Sequence, residues 1–439
     1  MISRYARPEM TDLWSDQNRY ATWVKVEVLA SQAQSVLGRV PMCALAGIER
    51  APVPLAARVA ELERERDHEI LSFLAAFCEG IDDDFARYVH LGMTSYDLVD
   101  TAFGFNLARA SDLLLDAVTR LRRVLAEQAV KHWGTVCIGR THGIHAEPTT
   151  FGHKLASFAF AIDRSARRLA DAREAVAVGT ISGSVGTYAL IDPFVEQFVC
   201  AELGLEVEPA PTQVVARDRH AQLVQAVATL GACVEQVALE LRLLQRTEVR
   251  EVEEHRTTAY QGSSAMPHKR NPTTSERLCG LARVLRGYAG MMLENVALWH
   301  ERDLSHSSVE RVAIPDCLTL AHYQVTAAAE LMETLEIFPD RMRAAIDQTN
   351  GLVYSSAVLA DLLEGGVERE RAYRAIQAAA NRTIESGEDF AATLNDEAVS
   401  AGSVLSDSML SDSMLSDSMR PERFLANHDV ILRRLETLT

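Results

Sequence analysis

The stretch DLVDTAFGFNLARASDLLLDAVTRLRRVLAEQAVKH, from Asp97 to His132, repeats one pattern. Leu107, Leu114, Val118, Leu121 and Leu125 recur at helical spacings with charged residues between them, which sets them on one stripe of a long amphipathic helix. Outward along the chain the pattern returns twice. From about Arg217 past Glu248 the stripe is Leu223, Val227, Leu230, Val234, Val237, Leu241 and Leu244, and a third such stretch runs from Ser275 to about Trp299. No proline interrupts any of the three, and sustained strand alternation is hard to find anywhere. Helices of this length pack as bundles, often between subunits. The expected fold is therefore all-α, with three helical domains: an N-terminal domain over 1–93, a central long-helix bundle over 94–345, and a C-terminal domain over 346–439. The first is marked off by shorter helical patterns broken at Pro52 and Pro54 and by the acidic turn Asp82-Asp83-Asp84.

Composition fits a soluble globular chain of about three domains. The 439 residues are 48% hydrophobic and 24% charged, and a core of that size needs no disulfide or metal staples. Sixty-one acidic residues against 44 basic ones give a formal charge of −17, which argues against a nucleic-acid partner or an anionic membrane surface. Any anionic ligand must find a local basic pocket. The seven cysteines, Cys43, Cys78, Cys137, Cys200, Cys233, Cys279 and Cys317, are scattered singly without metal-ligand spacing and read as reduced thiols. The opening MISRYARPEM has charges and a proline where an export signal carries its apolar core, so a cytoplasmic location is expected. The uncharged run Ala175 to Ile191 approaches the length of a membrane span, but Gly179, Gly183 and Gly186 mark it as a loop or helix junction. The pentapeptide LSDSM occurs three times in tandem from Leu405 to Met419, a period that fits neither a heptad nor a solenoid, and reads as a local expansion in a surface loop or helix end.

The densest chemistry lies in GSSAMPHKRNP, Gly262 to Pro272, which joins the second and third long helices. One glycine, two serines and two prolines cannot continue a helix. Two hydroxyls, an imidazole, two cations and a carboxamide on such a loop point to an anionic ligand. No GxGxxG, P-loop or metal-ligand spacing is present, so neither metal nor cofactor is expected.

The loop also fits the form GSSxMPxKxNP, and it does not stand alone. LGMTSYDLVDTA (Leu91–Ala102), GRTHGIHAEPTTFGHK (Gly139–Lys154), ISGSVGTYA (Ile181–Ala189), TQVVARDRHA (Thr212–Ala221), REVEE (Arg250–Glu254) and WHERDLSHSSVER (Trp299–Arg311) follow in one order along the chain. In these segments the sequence resembles the fumarase/aspartase superfamily and, within it, the adenylosuccinate lyase family. The resemblance implies a homotetramer whose active sites are each built from three subunits. The reaction it implies is elimination of fumarate from adenylosuccinate, giving AMP, and from the succinyl-carboxamide ribotide of purine synthesis (SAICAR), giving AICAR.

That chemistry sets its own requirements. A weakly acidic proton must leave the carbon beside a carboxylate, and the resulting dianion needs fixed cations and hydrogen-bond donors around it. The resemblance places Lys269 and Asn271 there, with Thr94, Ser95, Asp97 and Thr141 converging from other segments. The departing nitrogen needs a proton, for which a histidine is suited; His142 matches the general acid. Ser263 matches the base, a role that requires an alkoxide stabilised when the loop closes; its neighbour Ser264 is the alternative. His68, which alone would read as a solvated surface residue, corresponds to a second active-site histidine. Arg4 and Tyr5 match an N-terminal Arg-Tyr pair, while Arg302, Ser307 and Arg311 match phosphate and carboxylate anchors, a task that suits the planar guanidinium fork. Gln213 matches a succinyl-binding residue, with Ser182 and Arg277 as weaker candidates. His145 and His153 read as packing groups. Two residues depart from the family pattern: Tyr96 stands where many relatives carry a small residue, and Thr180 where lysine is common. They leave open a relative recruited to a modified nucleotide in a specialised pathway; a second enzyme reading is a paralogue acting on another N-succinyl substrate or a carboxymuconate cycloisomerase, against which the phosphate-anchor arginines argue. A non-catalytic structural protein on the same scaffold is a further alternative, against which the joint presence of His68, His142, Ser263, Lys269 and Asn271 argues.

Overall fold

Helices carry the structure, a computed structural model that describes residues 2–256, 265–400 and 412–438. The five longest among these residues are α1 (Ser95–Lys131), α2 (Phe151–Val176), α3 (Asp218–Leu244), α4 (Thr273–Glu294) and α5 (Ser305–Thr334). Three of them are the helices read from the stripes at 97–132, 217–248 and 275–299, and the all-α expectation holds. The start of α1 is written in its first residues. Thr94 caps the helix, and the Asp97 carboxylate reaches back to accept its backbone N–H at 2.7 Å, half of a capping box with aspartate in the glutamate position. Leu107, Leu114, Val118, Leu121 and Leu125 of the stripe are all buried. Gly104 sits within α1 because a Cβ there would lie 2.2 Å from the Val178 carbonyl oxygen; the close approach outweighs the poor helix propensity of glycine.

Strands are few and short. β1 (Val136–Thr141) and β2 (Ile144–Thr150) form an antiparallel hairpin, Val178–Gly179 pairs in parallel with Glu206–Val207, and Val252–Glu253 pairs antiparallel with Glu336–Ile337. The run Ala175–Ile191 leaves the end of α2 as irregular chain around Val178–Gly179, as its glycines predict. No helix among the described residues is long and apolar enough to cross a membrane.

The chain divides into two compact units. One comprises residues 1–120, 162–236 and 277–328; the other comprises 121–161, 237–276 and 329–439, so each of the five long helices contributes to both. The first unit has an aromatic centre in which Phe73 stacks on Phe77 and Tyr20 and meets the edge of Trp23, surrounded by Leu98, Val195 and Val199. In the second, Val358, Leu362, Ile376, Phe390 and Leu394 form one cluster and Ile138, Ile346 and Tyr354 another. Leu415, in the third LSDSM copy, is part of the former: the copy lies mostly in the helix Asp412–Ser418, with Leu415 and Ser418 buried. That copy is core and not merely surface loop; the first copy lies outside the described residues.

Candidate active site

In the first unit, a cleft of about 880 Å³ is lined by Tyr96, Asp100, Ser307, Glu310 and Arg311, with Ser3, Trp14 and Arg19 among the residues opposite. Three sequence segments meet around it. Tyr96 comes from the start of α1, Ser307 and Arg311 from the first turns of α5, and Ser3 from the 3-10 turn Ser3–Tyr5 that also carries the exposed Arg4. Arg302, just before α5, lays its guanidinium over the Tyr96 ring at 3.8 Å and donates to the Gln213 side-chain oxygen at 2.9 Å. Gln213 is held in turn by its own donation to the Ser184 carbonyl at 3.1 Å. Tyr5 packs on Tyr323, whose hydroxyl accepts from Arg277 at 2.9 Å, so two of the expected residues meet on a third that the sequence reading did not single out.

Beneath these residues lies a buried charge cluster. Arg217 is 3% exposed and is gripped by Asp100, at 2.6 and 2.9 Å, and by Glu310, at 2.9 and 3.2 Å. His220 adds a contact of 3.3 Å to Glu310. Burial alone would raise the Glu310 carboxyl, but His220 and Arg217 hold it down at about 2. Asp100 lies one turn beyond Tyr96, and Glu310 lies between Ser307 and Arg311. Arg217 therefore fixes α1 against α5 beside the cleft. A fully paired buried arginine of this kind has no donor to spare for a ligand, and it contrasts with Arg302.

Asp97, expected to bind substrate, is fully buried. Besides Thr94 N–H, it accepts from Ser182 N–H at 2.9 Å and Gly183 N–H at 3.2 Å, so its carboxylate joins the TSYD turn to the ISG segment. Burial raises its pKa to about 6 against the pull of those three donors. Ser182 is buried beside it, sharing a 2.9 Å hydrogen bond with Thr180, whose hydroxyl also donates to Glu196 at 3.2 Å. His90, which the sequence reading passed over, holds the preceding turn: its Nδ1 lies 2.6 Å from Glu27, and its backbone N–H donates to the same carboxylate at 3.0 Å. His68 is the exposed N-cap of the helix Glu69–Cys78, its Nδ1 accepting Leu71 N–H at 3.3 Å. Its buried neighbour Glu69 pairs with Arg19 at 2.8 Å and with Arg311 at 2.5 Å.

The second unit holds the other half of the expected set. His142 and Gly143 are the two central residues of the β1–β2 turn, with φ of 56° and 79°. Two left-handed residues in a two-residue loop give a type I′ turn, and histidine is among the few side chains that tolerate such a φ. The result is an imidazole presented at an exposed tip, flanked by the exposed Thr141. His145 lies on β2 and His153 on α2, where it contacts the Thr149 hydroxyl at 3.3 Å.

The REVEE segment organises these groups. Glu251 holds Arg140, two residues before His142, at 2.5 and 3.2 Å. Glu253 pairs at 2.5 Å with Arg270, which stands between the exposed Lys269 and the half-buried Asn271. Glu254 accepts from the backbone N–H groups of Thr274 and Ser275 and thereby caps α4, which begins directly after this loop. Three glutamates thus fix the hairpin bearing His142, the turn bearing Lys269, and the helix that follows. Ser263 and Ser264 lie outside the described residues. Among the described residues no group of three His, Cys, Asp or Glu side chains is placed to hold a metal ion.

Comparison with known proteins gives a consistent picture. Residues 4–287 match the profile of the lyase family, and residues 351–435 match that of the adenylosuccinate lyase C-terminus. The chain is 47% identical over 382 residues to an adenylosuccinate lyase of Synechocystis, covering 87% of this chain and 88% of that one. It is 45% identical over 377 residues to an adenylosuccinate lyase of Bacillus subtilis, covering 86% and 87%. Among solved structures, the 3-carboxy-cis,cis-muconate lactonizing enzyme of Pseudomonas putida superposes with a TM-score of 0.87 at 28% identity, over 99% of this chain and 97% of the other.

Proposed function

We infer the activity from one premise: the chain belongs to the adenylosuccinate lyase family. It is a lyase that splits adenylosuccinate into AMP and fumarate, and by the same chemistry SAICAR into AICAR and fumarate. The observation that carries this is the 47% identity over 87% of the chain. The muconate lactonizing enzyme shares the fold at only 28% identity.

In the mechanism we propose, Ser263, as an alkoxide, removes the proton from the carbon beside the succinyl carboxylate. Lys269 and Asn271 shelter the charge of the resulting dianion, with Thr94, Ser95 and Thr141 as further donors. The dianion then collapses, the C–N bond breaks, and His142 protonates the departing nitrogen. Such an elimination needs an acid, a base and fixed charge, all of which these side chains supply. Arg4, Tyr5, Arg302, Ser307 and Arg311 anchor the phosphate and carboxylate oxygens, Gln213 binds the succinyl group, and His68 helps bind the phosphate and orient the acid. Asp97 acts through the turn that carries Thr94 and Ser95, a reading supported by its three backbone donors.

Support for the acid comes from the exposed left-handed turn that presents His142, since a backbone held in a sparsely populated region is often retained for function. The protein works in the cytoplasm as a homotetramer whose subunits share their sites. Incubating purified protein with adenylosuccinate and following the ultraviolet spectrum tests the activity: conversion to the AMP spectrum is expected, and an unchanged spectrum defeats the assignment.

A further inference from the structure

Arg302 is held by an unusual partner. Its guanidinium carbon stands 3.8 Å from the centre of the Tyr96 ring, a stacking distance, and one terminal nitrogen donates to Gln213. Its Nε is buried without a hydrogen-bond partner. The contrast with two other arginines of the same unit is chemical. Arg217 is spent on two carboxylates, and one terminal nitrogen of the half-exposed Arg311 is paired with Glu69 at 2.5 Å. A carboxylate fixes a guanidinium by occupying the in-plane N–H groups it meets and offsetting its charge. An aromatic ring fixes it through its face and leaves both intact.

The ring is itself fixed. Tyr96 is 6% exposed and packs against His306, with ring centroids 5.5 Å apart at 60°. His306 is fully buried with neither ring nitrogen hydrogen-bonded, and burial, followed by the charge of Arg217, lowers its pKa, so an uncharged imidazole backs the tyrosine. Gln213 completes the cradle from a third segment, its backbone N–H donating to the Glu301 carbonyl at 3.3 Å.

We propose that Tyr96 is a positioning residue for substrate binding: a ring platform that holds the Arg302 guanidinium flat, charged and with free in-plane donors for a substrate oxyanion. This rests on the reading of Arg302 as a substrate anchor. Because the platform organises binding and takes no part in proton transfer, its loss is felt in KM and not in kcat.

The test compares Tyr96→Leu, Tyr96→Phe, Arg302→Lys and the Leu/Lys double variant, assayed with adenylosuccinate. Tyr96→Leu is expected to raise KM about three- to thirty-fold, the range for a partly desolvated cation–ring contact, with kcat within about two-fold of the parent. Tyr96→Phe keeps the ring and restores KM to within about two-fold. Added to Arg302→Lys, Tyr96→Leu raises KM by less than about two-fold, because lysine has no planar donor fork for the ring to hold flat. If Arg302→Lys raises KM while Tyr96→Leu does not, or if Tyr96→Phe is as impaired as Tyr96→Leu, the platform is refuted. An Arg302→Lys protein with unchanged KM refutes the anchor and the platform with it. Should Tyr96→Leu fail to fold, Tyr96→Met is read by the same criteria.

Discussion

Asp97 shows how a single carboxylate can tie the TSYD turn to the ISG segment while burial raises its own pKa to about 6. Its folded pKa of about 6 stands above the ordinary 3.8, so between these values the folded chain holds a proton that the unfolded chain has released. The slope of stability with pH from this group is then negative. Its contribution is full below pH 4, declines as pH rises, and is gone above about pH 6, a loss of roughly 3 kcal/mol at about 1.4 kcal/mol per unit. Asparagine cannot titrate. We expect the stability of Asp97→Asn relative to the parent to improve by that order between pH 4 and 6, read from urea midpoints at each pH; a difference that stays constant across the window refutes the assignment. Arg217 marks the limit of sequence reading at this scale. In TQVVARDRHA it looks like any surface arginine, and only its meeting with Asp100 and Glu310, 117 and 93 positions away, reveals it as the buried tie beside the cleft.

Among the elements, the β1–β2 turn joins backbone conformation to chemistry most directly. Asparagine shares with histidine a tolerance for left-handed φ but cannot donate a proton at neutral pH. His142→Asn is therefore expected to keep its thermal midpoint within about 2 °C while kcat falls by about 10² to 10⁴, the usual worth of a general acid. Retention of kcat within ten-fold would remove His142 from that role. Helix reading succeeded where a stripe was long and uninterrupted, as in α1, α3 and α4. It did not delimit α5, whose interior Pro315 and Ser/His-rich opening disguise thirty residues of helix. Paired strands of two residues, such as Val178–Gly179 with Glu206–Val207, are too short to display alternation, so no sequence signal marked them. REVEE was recognisable as a motif, but the division of labour among Glu251, Glu253 and Glu254 depends on partners distant in the chain.

On the scale of the whole molecule, the expected site residues divide between the two units: the anion anchors lie in one, and His142, Lys269 and Asn271 in the other. Large apolar side chains remain exposed along the long helices, Leu239 and Leu243 on α3 and Met291 and Leu293 on α4, each more than 40% accessible. Such surface is what the homotetramer proposed above would cover with other copies. Sedimentation at micromolar concentration is expected to give four times the 48.4 kDa of one chain; a monomer that still turns over adenylosuccinate would end the shared-site reading.

The tandem pentapeptide has a genetic corollary. Only its last copy supplies the buried Leu415 and Ser418, and the copies are identical, so slippage during replication that deletes Leu405–Met409 leaves the anchoring unit and everything after it unaltered. Such a shortened chain should melt at the parental temperature, whereas Leu415→Asp should not. If the shortened chain does melt with the parent, the repeat ahead of Leu415 can change length while the buried pair Leu415 and Ser418 stays in place.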